Sequence, residues 1–151
     1  YLREMYKKNL LREPGGITLH QTPIDLRAVK TPIYIVSPKE DHIAPWQATY
    51  AATGLYAGSI RFVLAGSGHI AGIINPPAAK KYGYRVNPDL PESAEAWLAG
   101  AEAHEGSWWL DWKKWVRRYG GKKLPARDPG DGELGIIEPA PGRYVKVRDA
   151  A

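Results

Sequence analysis

Two stretches decide the fold: PIYIVSPKEDHIAPW, residues 32–46, and IRFVLAGSGH, residues 60–69. In each, a run of β-branched and aromatic residues leads into a polar loop. Such runs, with little polar alternation, predict strands that are buried on both faces, as in a parallel sheet. Pro45 can begin a helix between them that presents Trp46 and Tyr50 on one side. Strand, helix and strand within about 35 residues predict a right-handed parallel βαβ unit.

Helices and loops are expected on both sides of this unit. Residues 1–12 place apolar side chains at helical spacing, whereas residues 73–91 are rich in Asn, Pro and Gly and predict a loop. Ser93 can cap a following helix, on which Trp97 and His104 would share a face. Ser107 can cap a second helix. The pattern therefore predicts parallel strands with crossover helices, followed by two helices and an extended tail.

The length and composition favour one globular α/β domain. The 151 residues are 44% hydrophobic and 25% charged, which are ordinary values for a folded protein. We expect residues 1–121 to form the domain and residues 122–151 to form a linker and an extended tail. The sequence has no apolar stretch long enough to cross a bilayer and no signal-peptide pattern. Because it begins at Tyr1 without an initiator Met, we expect a fragment or a processed product.

The chain contains no cysteine, which excludes disulfides, thiolate metal sites and a cysteine nucleophile within these residues. A cytoplasmic protein fits this composition. The net charge of +5 favours anionic partners, although a basic surface without a dedicated partner is equally compatible with it. Four widely spaced His residues without an i, i+4 pair make a zinc site improbable.

An acidic residue and a histidine follow the two predicted strands. Asp41 comes after the first strand and His69 after the second. In open α/β sheets, catalytic groups gather beyond the carboxyl ends of the strands, and α/β-hydrolases deliver an acid and then a His in this order. His69 would remove a nucleophile's proton, and Asp41 would orient the imidazole and stabilise its cation. The alternative is an Asp that caps a turn and a His that merely lies in a loop.

Two neighbouring positions are expected to support this pair. His42 follows Asp41 directly, and a structural role beside the pair suits it better than that of the base. Asn75 lies in the Asn-Pro-Pro sequence after His69 and can shape the mouth of a pocket, or simply belong to a rigid loop.

Several segments resemble those of class I polyhydroxyalkanoate synthases, and the resemblance extends over essentially the whole chain, including what we expect to be the natural C-terminus. The segments are DLRAVKTP (residues 25–32), EDHIAPW (40–46), GSGHIAGIINPP (66–77), GSWWLDW (106–112) and IEPAPGRYVK (137–146). The resemblance implies the C-terminal part of an α/β-hydrolase-like catalytic domain.

It also implies an acyltransferase that polymerises (R)-3-hydroxyacyl-CoA into polyester and releases CoA, which is part of the substrate and a product, so that no separate cofactor is needed. Such synthases use a Cys nucleophile upstream of the acid and the His. His69 then corresponds to the general base, and Asp41 either orients it or helps to activate the hydroxyl of the incoming monomer. Because the Cys is absent, we expect the chain alone to be inactive.

The resemblance further implies partners and a place in the cell. We expect contact with the growing polyester, the N-terminal part of the enzyme and a second copy in a homodimer, without nucleic acid. We expect a cytoplasmic protein at the surface of polyester granules rather than at a membrane.

Alternatives stay open at this point. The aromatic residues Trp108, Trp112, Trp115 and Tyr119 recur at helical spacing, and they can dock the last helix or contact polyester, a granule or a partner. The chain can also be part of another α/β-hydrolase of the Ser esterase or lipase type. A non-catalytic basic and aromatic module that binds an anionic polymer such as nucleic acid is the remaining possibility.

Overall fold

The computed structural model describes residues 1–148. They divide into a first unit, Tyr1–Arg118, and a second unit that begins at Tyr119. The second unit is largely exposed and contains a short 3-10 helix, Tyr144–Lys146. All of the strands and helices described next lie in the first unit. The predicted extent of the domain, residues 1–121, remains a prediction.

A four-stranded mixed sheet organises the first unit. A small hairpin precedes it, formed by β1 (Thr18–Leu19) and β2 (Thr22–Pro23). The sheet has the order β3-β4-β5-β6, with β3 (Ile33–Pro38), β4 (Ile60–Ala65), β5 (Gly83–Val86) and β6 (Glu102–Glu105). Strands β3 and β4 are parallel and the other two pairs are antiparallel.

Three α-helices and several shorter turns connect and cover the strands. The α-helices are α1 (Trp46–Tyr50), α2 (Ala94–Ala99) and α3 (Trp109–Val116). Short 3-10 helices cover Leu10–Arg12, Leu26–Ala28, Ala51–Gly54 and Pro77–Ala79, and a π-helical segment covers Leu2–Lys7. Across residues 1–148, every helix is too short or too polar to cross a bilayer.

An aromatic core lies on the face of the sheet that carries α1 and α2. The rings of Phe62 and Trp97 meet edge to face at 4.9 Å, and those of Tyr50 and Phe62 do so at 5.0 Å. This edge-to-face geometry is favoured by the quadrupoles of the rings. The hydroxyl of Tyr50 donates to the carbonyl of Pro91 at 2.6 Å, which satisfies its one polar group.

Helix α3 covers the opposite face of the sheet. Tyr34 of β3 is opposite Arg61 of β4 in the parallel register, and both side chains bond to Asp111 of α3. Because successive strand residues point to opposite faces, Ile35 and Phe62 belong to the core on the other side. Residues 62–65 of β4 are buried on both faces, as predicted, whereas residues 33–36 of β3 are only half-buried, so the prediction is confirmed for β4 and in part for β3.

The predicted α/β class is confirmed, and the two predicted strands are parallel, but two antiparallel strands that the sequence pattern missed make the sheet a mixed one. The loop predicted over residues 73–91 contains a strand, because Gly83–Val86 forms β5 against β4. Likewise, His104 lies in β6 rather than on a helix with Trp97. Helix α2 ends at Ala99, with Gly100 as its C-cap. Both strands are short and are held by backbone hydrogen bonds. Their side chains lack the apolar pattern by which a buried strand is recognised in a sequence.

The first helix also differs from its prediction. Residues 1–12 form a π-helical segment and a 3-10 helix rather than one α-helix, since Asn9 between them has φ 49° and ends the helical run. Leu2 and Tyr6 of the expected apolar face are exposed.

Candidate active site

The parallel pairing of β3 and β4 brings the loops after them to one edge of the sheet. Pro38, the last residue of β3, is opposite Ala65, the last residue of β4. Backbone bonds continue past the strand ends, because Lys39 N–H donates to Ala65 O at 2.7 Å and Glu40 N–H to Ser67 O at 3.0 Å. The segments that carry the predicted acid and the predicted base are therefore tied to each other by their backbones.

Asp41 is held by hydrogen bonds to both of its carboxylate oxygens. Oδ1 accepts the backbone N–H groups of Ile43 at 2.9 Å and Ala44 at 3.0 Å. Oδ2 lies 2.8 Å from Nδ1 of His69. The Asp41 side chain is only 3% exposed, so the carboxylate faces the protein and the imidazole rather than water.

These bonds keep the carboxylate of Asp41 ionised. The backbone N–H of Ala44 and, next, the hydrogen bond with His69 lower the pKa of Asp41 to about 2, against the opposing effect of burial. The carboxylate is therefore ionised at neutral pH and can only accept, so Nδ1 of His69 must carry the proton between them. In that tautomer, Nε2 is the unprotonated ring nitrogen, and Asp41 does not contact it. The His69 side chain is 48% exposed.

The loop after His69 is packed tightly against its own beginning. Gly72 is buried, and its N–H donates to the carbonyl of Gly68 at 2.8 Å. A Cβ atom at Gly72 would lie 2.7 Å from Gly66 O, 2.9 Å from Gly68 O and 2.9 Å from Cβ of Pro38. Only glycine fits there without displacing backbone, because such short contacts are rarely tolerated.

The two supporting positions differ in their burial. His42 is exposed, although it follows Asp41 directly. Asn75 is buried, and its amide Nδ2 donates to the carbonyl of Lys81 at 2.7 Å. Asn75 therefore holds the far end of the histidine loop to the segment that leads into β5, whereas the expected supporting role of His42 stays a prediction.

Sequence comparisons show which known proteins the chain resembles. The chain is 50% identical over 149 residues, 98% of its length, to the poly(3-hydroxyalkanoate) polymerase subunit PhaC of Cupriavidus necator. It is 42% identical over 98% of its length to a poly(3-hydroxyalkanoate) polymerase of Methylorubrum extorquens, and 44% identical to PhaC of Rhizobium meliloti. The chain is similar in sequence to poly(3-hydroxyalkanoate) polymerases. No protein-family model matches it.

The similarity to the polymerases covers nearly all of this chain but only part of theirs. The chain spans 25% of the C. necator polymerase subunit and 24% of the M. extorquens polymerase. The predicted resemblance to polyhydroxyalkanoate synthases is therefore confirmed for a segment about one quarter as long as the polymerases themselves.

Within this polymerase-like segment, the sequence pattern missed a cluster that ties α3 to the sheet. Asp111 accepts a bidentate bond from Arg61, at 2.6 and 2.7 Å, and a third bond from the hydroxyl of Tyr34 at 2.9 Å. Burial raises the pKa of Asp111, but the bonds from Arg61 and Tyr34 outweigh it and leave the pKa lowered. Burial and the bond to Asp111 raise the pKa of Tyr34. The available signal was a residue with a polar end in each apolar strand, Tyr34 and Arg61, and an Asp in the later helix.

The aromatic residues that recur at helical spacing, called here the aromatic stripe, differ in their surroundings; they are Trp108, Trp112, Trp115 and Tyr119. Trp108 and Trp115 both pack against Tyr34, with ring centroids 6.1 and 5.3 Å apart, whereas Trp112 is exposed. Trp109, which the stripe did not include, donates its indole N–H to the carbonyl of Ile73 at 2.9 Å. Trp108 and Trp115 therefore dock α3 on the sheet, as the first of the two interpretations of the stripe predicted.

Proposed function

We propose that this chain supplies the acid–base pair of a polyester synthase, with Asp41 and His69 as catalytic residues and a cysteine of the longer protein as the nucleophile. The observation that carries the proposal is the 2.8 Å contact between Oδ2 of Asp41 and Nδ1 of His69, at the shared carboxyl edge of two parallel strands. The similarity to poly(3-hydroxyalkanoate) polymerases supports the choice of reaction.

The proposed reaction begins with proton transfer to His69. Its Nε2 takes the proton of the cysteine thiol, and the sulfur attacks the thioester carbon of an (R)-3-hydroxyacyl-CoA. The bond between that carbon and the CoA sulfur breaks, and the imidazolium of His69 gives its proton to that sulfur, so that CoA leaves as a thiol. Because Asp41 stays ionised, it stabilises the imidazolium cation that forms in between.

Two roles for Asp41 were left open by the sequence, and the geometry favours one of them. Both carboxylate oxygens of Asp41 already accept hydrogen bonds, and its side chain is almost fully buried. A group in this state is poorly placed to reach the hydroxyl of an incoming monomer. We therefore assign Asp41 to the orientation of His69 rather than to activation of that hydroxyl.

The fold and the partners follow from the same proposal. The mixed sheet would be the C-terminal part of an α/β-hydrolase fold completed by the N-terminal part of the enzyme. CoA enters as part of the substrate, without a separate cofactor. We also propose a homodimer in the cytoplasm, at the surface of polyester granules. Exposed aliphatic side chains beside the pair, those of Ile43 and Ile70, support contact with such an apolar surface.

The proposal is tested in the longer protein that carries this segment. The release of CoA from (R)-3-hydroxybutyryl-CoA is followed with a thiol reagent for wild type, His69→Ala and the matched control His42→Ala. We expect a loss of at least about a thousandfold for His69→Ala, since removal of a triad base costs this much or more, and near wild-type rates for His42→Ala. Comparable rates for all three proteins would refute the proposal. The chain alone, which has no cysteine, should release no CoA.

A further inference from the structure

The loop that carries His69 needs support from outside itself. His69 lies half-exposed in the loop that follows β4, two residues after Ser67, whose φ of 70° is unfavourable for a residue with a side chain. After His69 the backbone makes a helical turn, in which Ile74 N–H donates to Ile70 O at 2.8 Å. The carbonyls at the end of so short a turn lack the N–H groups that a longer helix would supply, although Ile73 O accepts the N–H of Asn75 at 3.1 Å. Since Asn75 is itself tied to Lys81, further bonds to these carbonyls would add to the support of the loop.

Two indole groups bind those carbonyls. The Nε1–H of Trp108 donates to the carbonyl of Gly72 at 3.0 Å, and the Nε1–H of Trp109 donates to the carbonyl of Ile73 at 2.9 Å. Both acceptors lie only three and four residues beyond His69 along the chain. Two consecutive tryptophans therefore hold two consecutive carbonyls of the histidine loop.

The tryptophans are themselves fixed to the strands that carry the pair. Trp108 stacks on Tyr34 of β3, and the rings of Trp108 and Trp109 meet edge to face at 6.4 Å. Two residues further along α3, Asp111 bonds to Tyr34 and to Arg61 of β4. The same two strands thus lead to Asp41 and His69 at one end and anchor the indole donors through α3.

We infer that Trp108 and Trp109 are positioning residues for His69, which set the distance between its imidazole and Asp41 through the loop that they hold. This inference rests on the proposed function of His69. A displacement of about 1 Å at a reacting group can lower a rate by about a hundredfold. The two indole N–H groups therefore contribute to turnover without touching the substrate.

Replacement by phenylalanine isolates the N–H groups, because it keeps an aromatic ring and removes the donor. In the longer protein, Trp108→Phe and Trp109→Phe should each lower kcat by about five- to twentyfold and leave KM within about twofold. Trp112→Phe is the matched control, since Trp112 lies on the same helix and is exposed. Its kcat should be that of wild type. All rates are measured well below the lowest Tm of the set, so that unfolding does not contribute.

A spectroscopic measurement separates positioning from a general loss of stability. The proton on Nδ1 of His69, bonded to an ionised carboxylate, should give a downfield resonance that disappears in His69→Ala. We expect this resonance to shift or broaden in Trp109→Phe and to stay unchanged in Trp112→Phe. An unchanged resonance and an unchanged kcat in both Trp108→Phe and Trp109→Phe would overturn the inference. So would a lower Tm in these variants with the resonance and kcat preserved.

The inference and the proposed function can fail separately. If His69→Ala keeps wild-type turnover, the proposed function is wrong, whereas the resonance still reports whether the indoles hold the loop. If His69→Ala is inactive and the Phe variants match Trp112→Phe in every measurement, only the inference about Trp108 and Trp109 is wrong.

Discussion

Nδ1 of His69 lies 2.8 Å from Oδ2 of Asp41, and the two residues follow parallel strands whose last residues are opposite each other. The register of β3 and β4 fixes where each loop begins. The backbone bond from Glu40 to Ser67 then carries the pairing beyond the strands. The contact is therefore a consequence of sheet geometry as well as of the two side chains, and this explains why a loop histidine can have a fixed partner.

Replacement of Asp41 by asparagine should show whether Asp41 orients the imidazole of His69 or only fills space beside it. The amide side chain of Asp41→Asn would keep an oxygen for one set of contacts, but it would lose the negative charge. It could also present its NH2 group to the imidazole, which favours the wrong tautomer. We expect kcat for CoA release in the longer protein to fall on the order of a thousandfold or more, with a small change in KM. Glu40→Gln is the matched control, since Glu40 is exposed and directly precedes Asp41. A fall of less than about tenfold for Asp41→Asn would contradict the assigned role.

The pKa of Asp41 predicts how the stability of the fold depends on pH. Folding lowers this pKa from 3.8 to about 2, so the folded state favours the ionised carboxylate. This contribution to the free energy of unfolding is complete above a pH of about 4 and is lost as the pH falls from there through about 2. The difference in urea midpoint between wild type and Asp41→Asn should therefore shrink as the pH is lowered through this range. A difference that stays constant or grows would show that Asp41 is not held as the structure has it.

The sequence predicted those elements of the fold that are marked by a run of apolar side chains or by a capping side chain. Strands β3 and β4, the helix at Trp46 and the N-cap at Ser93, whose hydroxyl accepts from Ala96 N–H, all follow from apolar runs and capping chemistry. Strands β5 and β6 were missed because they are short, antiparallel and held by backbone bonds. Their sequences, Gly-Tyr-Arg-Val and Glu-Ala-His-Glu, lack a continuous apolar run.

The candidate site, like the fold, could be predicted only in part from the sequence. The order of Asp41 and His69 after successive strands was enough to expect them at one edge of the sheet. The role of Trp109 could not be predicted in this way, because its indole binds a main-chain carbonyl, and any residue at position 73 would offer the same group.

Gly72 should be intolerant of even the smallest side chain. A Cβ there would come within 3 Å of three atoms, two of them backbone oxygens of the loop that carries His69. We expect Gly72→Ala to lower the free energy of unfolding by about 1–3 kcal/mol, as overpacking of a tight site does. It should also lower kcat, since the loop must shift. Gly54→Ala is the control, because a Cβ at Gly54 meets nothing within 4 Å. Equal stability of both variants in urea unfolding would contradict the packing seen around Gly72.

Removal of one partner of the ion pair between Arg61 and Asp111 should lower the free energy of unfolding more than removal of both partners. Its side chains are 32% and 14% exposed, so water screens the pair in part. Asp111→Leu would leave the guanidinium of Arg61 half-buried without its carboxylate, and we expect a loss of about 1–3 kcal/mol in the free energy of unfolding.

The double variant Arg61→Met/Asp111→Leu should recover part of that loss, because it removes both charges and leaves apolar side chains of similar size. Urea unfolding of the wild type, the two single variants and the double variant gives the coupling between the two positions directly. A double variant that is as unstable as the sum of the single variants would mean that the pair does not couple α3 to β4. The positions of Trp108 and Trp109 would then have to depend on the packing against Tyr34 alone.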